Sequence, residues 1–271
     1  MIATLFKHEF KRTGRWLGLI ALLMMLVVGV FLAGAFLLPS PLNSVVAFFG
    51  LIVALGAPMI VQLLLGLDFY RSTFSKTGYF TMTLPVKGAT IFWVKFGYAS
   101  LVAILFYLLG AGLALVAGLG VAKAFVGSTR GYWETLREGV DALLDFAPAW
   151  LIALVILIVV LLPIAGLAHY FFAAAYGSES RFNRMGFGGV VLVWFIYYVV
   201  SQLVTLVGML IPLNILIDGD GARWMPNSLD LFTTTSTDGV LPLGAFVAMY
   251  LLAAVAIWRT KVSLDKKVEL R

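Results

Sequence analysis

Six apolar runs govern what this chain can fold into. They cover 16–38, 45–67, 91–119, 148–168, 187–213 and 240–258, and apart from Lys95 near the start of the third they hold no Lys, Arg, Asp or Glu. A helix rises about 1.5 Å per residue, so each run is long enough to cross a hydrocarbon core of roughly 30 Å. Composition agrees, with 62% apolar and 12% charged residues where a soluble domain carries about 25% charged. The apolar excess is surface that faces something other than water, which excludes a soluble globular enzyme, a disordered chain and a nucleic-acid reader. The expected fold is an all-α integral membrane protein, with residues 1–271 forming one transmembrane domain of six helices. The third and fifth runs exceed what a crossing needs, so they tilt, project into water or break, and Pro212 favours a break in the fifth. The absence of cysteine excludes disulfides and thiolate metal sites.

Basic residues orient the spans, because cytoplasmic loops retain Lys and Arg. Fifteen of the 19 fall on one side: Lys7, Lys11, Arg12 and Arg15 before the first span, Arg71, Lys76, Lys87 and Lys95 between the second and third, Arg181 and Arg184 between the fourth and fifth, and Arg259, Lys261, Lys266, Lys267 and Arg271 at the end. Only Lys123, Arg130, Arg137 and Arg223 fall on the other. That alternation supports a multi-pass protein of six spans with both termini cytoplasmic. Trp16, Trp93, Trp150 and Trp258 sit at span ends, where an indole suits the interface, while Trp194 does not fit this pattern. The first run is too long for a secretory signal and reads as an uncleaved span.

Three segments outside the runs are distinctive. In 1–15, Ile2, Leu5, Phe6 and Phe10 recur at helical spacing, and Lys7, Lys11 and Arg15 occupy another face. This predicts an interfacial amphipathic helix, carried by Phe6, Lys7, Phe10, Lys11, Arg12 and Arg15, before the chain turns into span one. A basic flank continuous with the span is the other reading. The external loop 120–147 holds a second amphipathic helix, with Trp133, Leu136, Val140, Leu143 and Leu144 in one stripe, lying on the outer leaflet or capping the bundle. The cytoplasmic segment 68–90 is long, basic and aromatic; Pro85 opens a helix there, and Phe69, Tyr70, Tyr79, Phe80 and Trp93 suit either a docking surface for a soluble partner or the lipid headgroups.

Catalytic patterns are missing. Lys76-Thr77 follows Ser75 where a phosphate-binding loop needs Gly, so the chain has no ATPase site of that kind. His8-Glu9 meets Arg12 in place of the second histidine of a zinc-protease helix, and His169 is the only other imidazole. No G-x-S-x-G occurs. The Asp218 to Gly221 turn resembles a calcium loop but has Ala222 at its third ligand position, so a solvated turn is the better reading. No ionisable residue falls in mid-span, which disfavours an ion-coupled carrier. The polar residues there, Gln62, Ser201, Gln202 and Thr205, suit bonding between helices. Gly110, Ala114 and Gly118 share one face of the third span and permit close helix approach.

The N-terminal MIATLFKHEFKRTGRWLG and the segment GYFTMTLPVKGATIFWVKF, set among six spans, resemble the permease subunits of bacterial type-2 ABC exporters. The likeness covers the chain in topology and about 40 residues in motif. It implies that 1–15 is the family's interfacial elbow helix and that Tyr70, Arg71, Phe74, Lys76, Tyr79, Phe80, Leu84, Pro85 and Lys87 belong to the region coupled to an ATP-binding subunit. Glu179, Arg181 and Arg184 would form a secondary contact. It further implies ATP and magnesium on that separate subunit, no cofactor and no enzyme activity in this chain, a second permease subunit that is identical or homologous, and short re-entrant helices within 214–239. The sizeable loop between spans three and four departs from the family. The implied function is half of an export path in the bacterial plasma membrane for an amphipathic or hydrophobic peptide, lipid or drug. A non-transporting membrane scaffold is the alternative, and an ion-coupled carrier the third.

Overall fold

The structure is a computed structural model and describes residues 2–75, 86–179, 182, 184–218, 221–225 and 239–266. Among these, seven helices and three short strands follow one another: α1 (Ile2–Leu37), α2 (Leu42–Thr73), α3 (Gly88–Val126), α4 (Tyr132–Phe146), α5 (Ala149–Tyr176), α6 (Phe187–Met209), β1 (Asn214–Asp218), β2 (Gly221–Met225), β3 (Gly239–Pro242) and α7 (Leu243–Lys266). All but α4 are helices long and apolar enough to cross a membrane. Their outward faces stay apolar: Leu19, Leu22, Leu23 and Leu26 of α1 are each more than half exposed. Only lipid makes such a surface favourable, and only helices satisfy their own backbone polar groups there. This is an all-α, multi-pass membrane fold.

The chain divides into two compact units, one of Met1–Leu65 with Trp93–Val140, the other of Gly66–Phe92 with Asp141–Arg271. In the first unit, Val28 of α1, Ala54 of α2 and Ala117 of α3 form a buried cluster, flanked by Leu51, Val53, Leu113 and Ala114. Small residues bring the backbones this close. A β-carbon on Gly110 would stand 2.7 Å from the Ala54 carbonyl oxygen and 2.8 Å from Pro58, and Gly118 lies beneath the Tyr132 ring, whose hydroxyl donates to the Leu115 carbonyl at 2.8 Å. The small-residue face of the third span therefore serves packing within the chain. Gly110→Leu is expected to lower the thermal midpoint of the detergent-solubilised protein, by an overpacking cost of about 1–3 kcal/mol. Gly112→Leu, whose added β-carbon meets nothing within 4 Å, should leave it unchanged. Equal midpoints for the two variants would refute this packing assignment.

Two expectations change in this unit. No turn separates residues 2–15 from span one, because Ile2–Leu37 is a single helix. No proline interrupts it, and residues 13–18 are helical through the expected turn. The continuous reading of the N-terminus replaces the separate elbow helix. α3 also runs past the expected end at 119 to Val126, where Gly127 adopts φ +80° and its N–H returns to the Lys123 carbonyl. A left-handed residue is the ordinary way to stop a helix, and glycine takes that conformation without strain.

In the second unit α5, α6 and α7 pack against one another, and the last turns of α2 lie on α5, where Phe69 stacks on Phe171 at 4.0 Å. α6 and α7 approach backbone to backbone at Gly208 and Gly244, where a β-carbon on Gly208 would stand 2.8 Å from the Gly244 carbonyl oxygen. α6 ends at Met209, three residues before Pro212, in line with the break expected there. The described residues of the segment after it form strands where the resemblance implied short re-entrant helices, and 226–238 lie outside the described residues. β1 pairs antiparallel with both neighbours in the order β2-β1-β3, from Asn214↔Met225 to Asp218↔Gly221 on one side and from Asn214↔Pro242 to Ile217↔Gly239 on the other. Asn214-Ile-Leu-Ile-Asp218 is too short and too β-branched to favour a helix, and turn residues flank it. The sheet rests on α5 and α7 through Ile215, buried with Ala147, Leu151, Ile158 and Leu243, and through Trp224 stacked on Trp150 at 6.3 Å.

The amphipathic helix expected within 120–147 forms as α4, but it buries none of its residues. Trp133, Val140, Leu143 and Leu144 of its apolar stripe are all more than half exposed.

Candidate functional site

The polar chemistry of the described residues concentrates at helix ends rich in Lys and Arg, and it differs between the units. In the first, Glu9 is buried in α1 and takes two cations: Lys95 Nζ of α3 donates to its Oε1 at 2.8 Å, and Arg12 donates to its Oε2. One turn further, Thr13 Oγ1 and the Tyr98 hydroxyl share a hydrogen bond at 2.5 Å, and Phe6 meets the Tyr98 ring edge-on at 5.2 Å. Glu9 and Thr13 are four residues apart on α1, and Lys95 and Tyr98 three apart on α3, so each pair lies along one helix face. Lys7, Phe10, Lys11 and Arg15 point outward.

In the second unit, Glu179 follows the end of α5 and is buried. Arg259 Nη2 of α7 donates to its Oε1 at 2.6 Å, the Ser263 hydroxyl donates to the same oxygen at 3.0 Å, and the Arg259 guanidinium lies 4.8 Å above the Tyr176 ring. Glu179 thus faces inward, joining α5 to α7, in contrast to the partner contact implied for it. The start of α3 is held by α7 as well: Asp265 Oδ1 accepts from the Ala89 N–H at 3.0 Å, an acidic cap at a helix N-terminus. Lys87 just before it is exposed.

The residues expected to couple to a partner are partly brought together. Tyr70, at the end of α2, and Tyr176 and Phe182, flanking the loop after α5, pack on one buried cluster of Ala173, Val190 and Val193. Tyr70 also lies 5.4 Å from the Phe187 ring, and Phe74 meets Phe69 edge-on at 5.6 Å. Arg71 and Arg184 are exposed. Lys76, Tyr79, Phe80, Leu84, Pro85 and Arg181 lie outside the described residues.

Three features were not anticipated. Two are the Glu9–Lys95 and Glu179–Arg259 pairs, of which the first had a signal in the sequence: Glu9 is the only acid before Asp68, and Lys95 the only charge in its apolar run. A lone charge in such a setting needs an opposite one nearby. The third is an aromatic stack around His169. α5 continues past the expected end at 168 to Tyr176, so this histidine lies inside a spanning helix. Its Nε2 donates to the Trp194 carbonyl at 2.9 Å, and Trp194 and Tyr197 lie 5.3 and 4.4 Å from its ring. Trp194, out of place as an interfacial anchor, is a partner in this stack.

Compared with protein-family models, curated proteins and solved structures, the chain has no significant match to any of them.

Proposed function

We propose that this chain is the membrane-spanning subunit of an ATP-driven exporter in the bacterial plasma membrane, with both termini cytoplasmic and ATP and magnesium bound by a separate subunit. The observation that carries this reading is the meeting of two loop-flanking segments in one unit. Tyr70 before the segment 76–85 and Phe182 in the loop after α5 rest on the same apolar cluster, with Arg71 and Arg184 exposed beside them in sequence. A soluble partner that engages either loop pushes on α2, α5 and α6 through one packed cluster, and packed elements pass such a push on as rigid-body tilt. The resemblance of the N-terminal and 78–96 segments to type-2 exporter permeases supports the same reading. The cargo is amphipathic or hydrophobic, because the spans offer Leu, Val, Phe and Met and almost no charge.

Gentle detergent extraction from native membranes, followed by mass spectrometry of what accompanies this chain, tests the proposal. The expected result is a stoichiometric soluble ATPase carrying the phosphate-loop motif that this chain lacks. Its reproducible absence from an otherwise intact complex would favour a non-transporting scaffold.

A further inference from the structure

The sheet of the second unit carries a large aromatic side chain that its packing leaves uncovered. Trp224 of β2 is the cross-strand neighbour of Ile215 on β1, and paired residues of antiparallel strands point to the same face of a sheet. Ile215 is buried against Ala147, Leu151, Ile158 and Leu243, so that face is the one turned towards the helices. Among the described residues β2 is an edge strand, in the order β2-β1-β3. Trp224 thus points the way Ile215 does, yet it stays 58% exposed, and it lies within 8° of parallel to the ring of Trp150, itself 45% exposed.

The surroundings of Trp150 show what covers this pair. On α5 it is followed at helical spacing by Ala153, Leu157 and Val160, all exposed, while Leu151 and Ile158 on a different face are buried in the unit. The exposed stripe belongs to a helix long and apolar enough to cross a membrane, so its solvent is lipid. Trp150 stands at the end of that stripe, and Trp224 continues it from α5 onto the sheet. The height agrees. From Trp150 to Tyr176, α5 rises about 39 Å at 1.5 Å per residue, close to the roughly 40–45 Å of a bilayer with its headgroups. Tyr176, beneath the Arg259 guanidinium, marks one headgroup layer, and the two tryptophans fall in the other. Arg223 is also exposed, and neighbouring residues of a strand point to opposite faces, so the cation lies on the side of β2 turned from the lipid.

We propose that β2 rests in the lipid headgroup layer, where Trp224 and Trp150 form one two-indole anchor by which the sheet grips the bilayer surface. An indole suits that layer, since its ring is apolar and its N–H finds acceptors among the headgroups. Two such rings side by side in water would be an uncovered apolar patch. The anchor follows from α5 and the sheet alone and does not depend on the exporter reading.

Because the chain has no cysteine, single nitroxide labels on the full-length protein in phosphatidylcholine liposomes test this directly. Trp224→Cys, Arg223→Cys and Leu157→Cys are labelled in turn, and collision with oxygen is compared with collision with a water-soluble nickel chelate. The label at 157 is expected to meet oxygen and not nickel, and the label at 223 to meet nickel freely. At 224 the nickel collision rate is expected to be several-fold below that at 223, with a depth in the headgroup layer. A second measurement keeps the indole in place: the emission lost on Trp224→Phe is expected to be quenched by brominated phosphatidylcholine and shielded from acrylamide. Equal nickel access at 223 and 224, or emission quenched by acrylamide alone, would overturn the proposal and leave the indole pair in water as a platform for a soluble ligand. Values at 224 equal to those at 157 would overturn it by sinking the strand into hydrocarbon, and protection from both probes would overturn it by placing protein over the pair. If Trp224→Cys fails to insert, the emission measurement on Trp224→Phe decides.

Discussion

Glu9→Leu is expected to be the most destabilising single substitution at the charged helix ends. It removes the carboxylate that Lys95 and Arg12 both contact, and removing one member of a buried pair costs about 3–5 kcal/mol, since the remaining charge keeps its desolvation penalty. The readout is the thermal midpoint and the yield of folded full-length chain in detergent. Lys95→Met alone should cost less, because Arg12 still neutralises Glu9. The double variant Glu9→Leu with Lys95→Met should recover much of the loss, since replacing both charges with apolar groups removes the penalty together with the attraction. A Glu9→Leu protein as stable as the parent would mean that this network contributes nothing to holding α1 against α3.

The second large effect is functional. Reversing Arg71 and Lys76 together to glutamate is expected to abolish ATP-driven export in reconstituted vesicles while leaving the thermal midpoint close to that of the parent. Arg71 is exposed at the end of α2, so its reversal disturbs little packing, whereas like charges set against a complementary partner surface cost several kcal/mol. Loss of the co-purifying ATPase in the same variant would locate the defect in docking. Export at the parental rate, with the ATPase still bound, would remove the 68–90 segment from the coupling role.

The stability of the two units draws on different parts of the sequence. In the first, glycine and alanine at helical spacing let α1, α2 and α3 approach closely, and one acid placed among cations ties the N-terminal turns of α1 to α3. In the second, aromatic stacking dominates, from Phe69 on Phe171 to the rings around His169. Aromatic pairs contribute about 0.5–1.5 kcal/mol beyond the area they bury, which suits helices whose apolar surface gains nothing by leaving lipid for protein.

The number, type and approximate position of the spans were legible because each depends on local composition alone. Twenty consecutive apolar residues have only one stable conformation in a bilayer, whatever their neighbours do. The break before Pro212 and the amphipathic α4 were legible for the same reason, being properties of a few consecutive residues. Helix ends were less so: α3 runs on to Val126 and α5 to Tyr176 because termini are decided by capping and by contacts beyond the lipid, as where Gly127 stops α3. The continuity of α1 through Arg15 and the pairing of 214–218 with strands on both sides depend on which distant residues arrive beside them. The same holds for the charged pairs. Glu9 stands out in the sequence as an isolated acid and Lys95 as an isolated base, but their meeting across 86 residues follows from the packing of α1 on α3, and the inward turn of Glu179 from the position of Arg259 on α7. Local free energy of transfer into lipid is written residue by residue; a partner for a buried charge is a long-range contact, and only the tertiary structure chooses it.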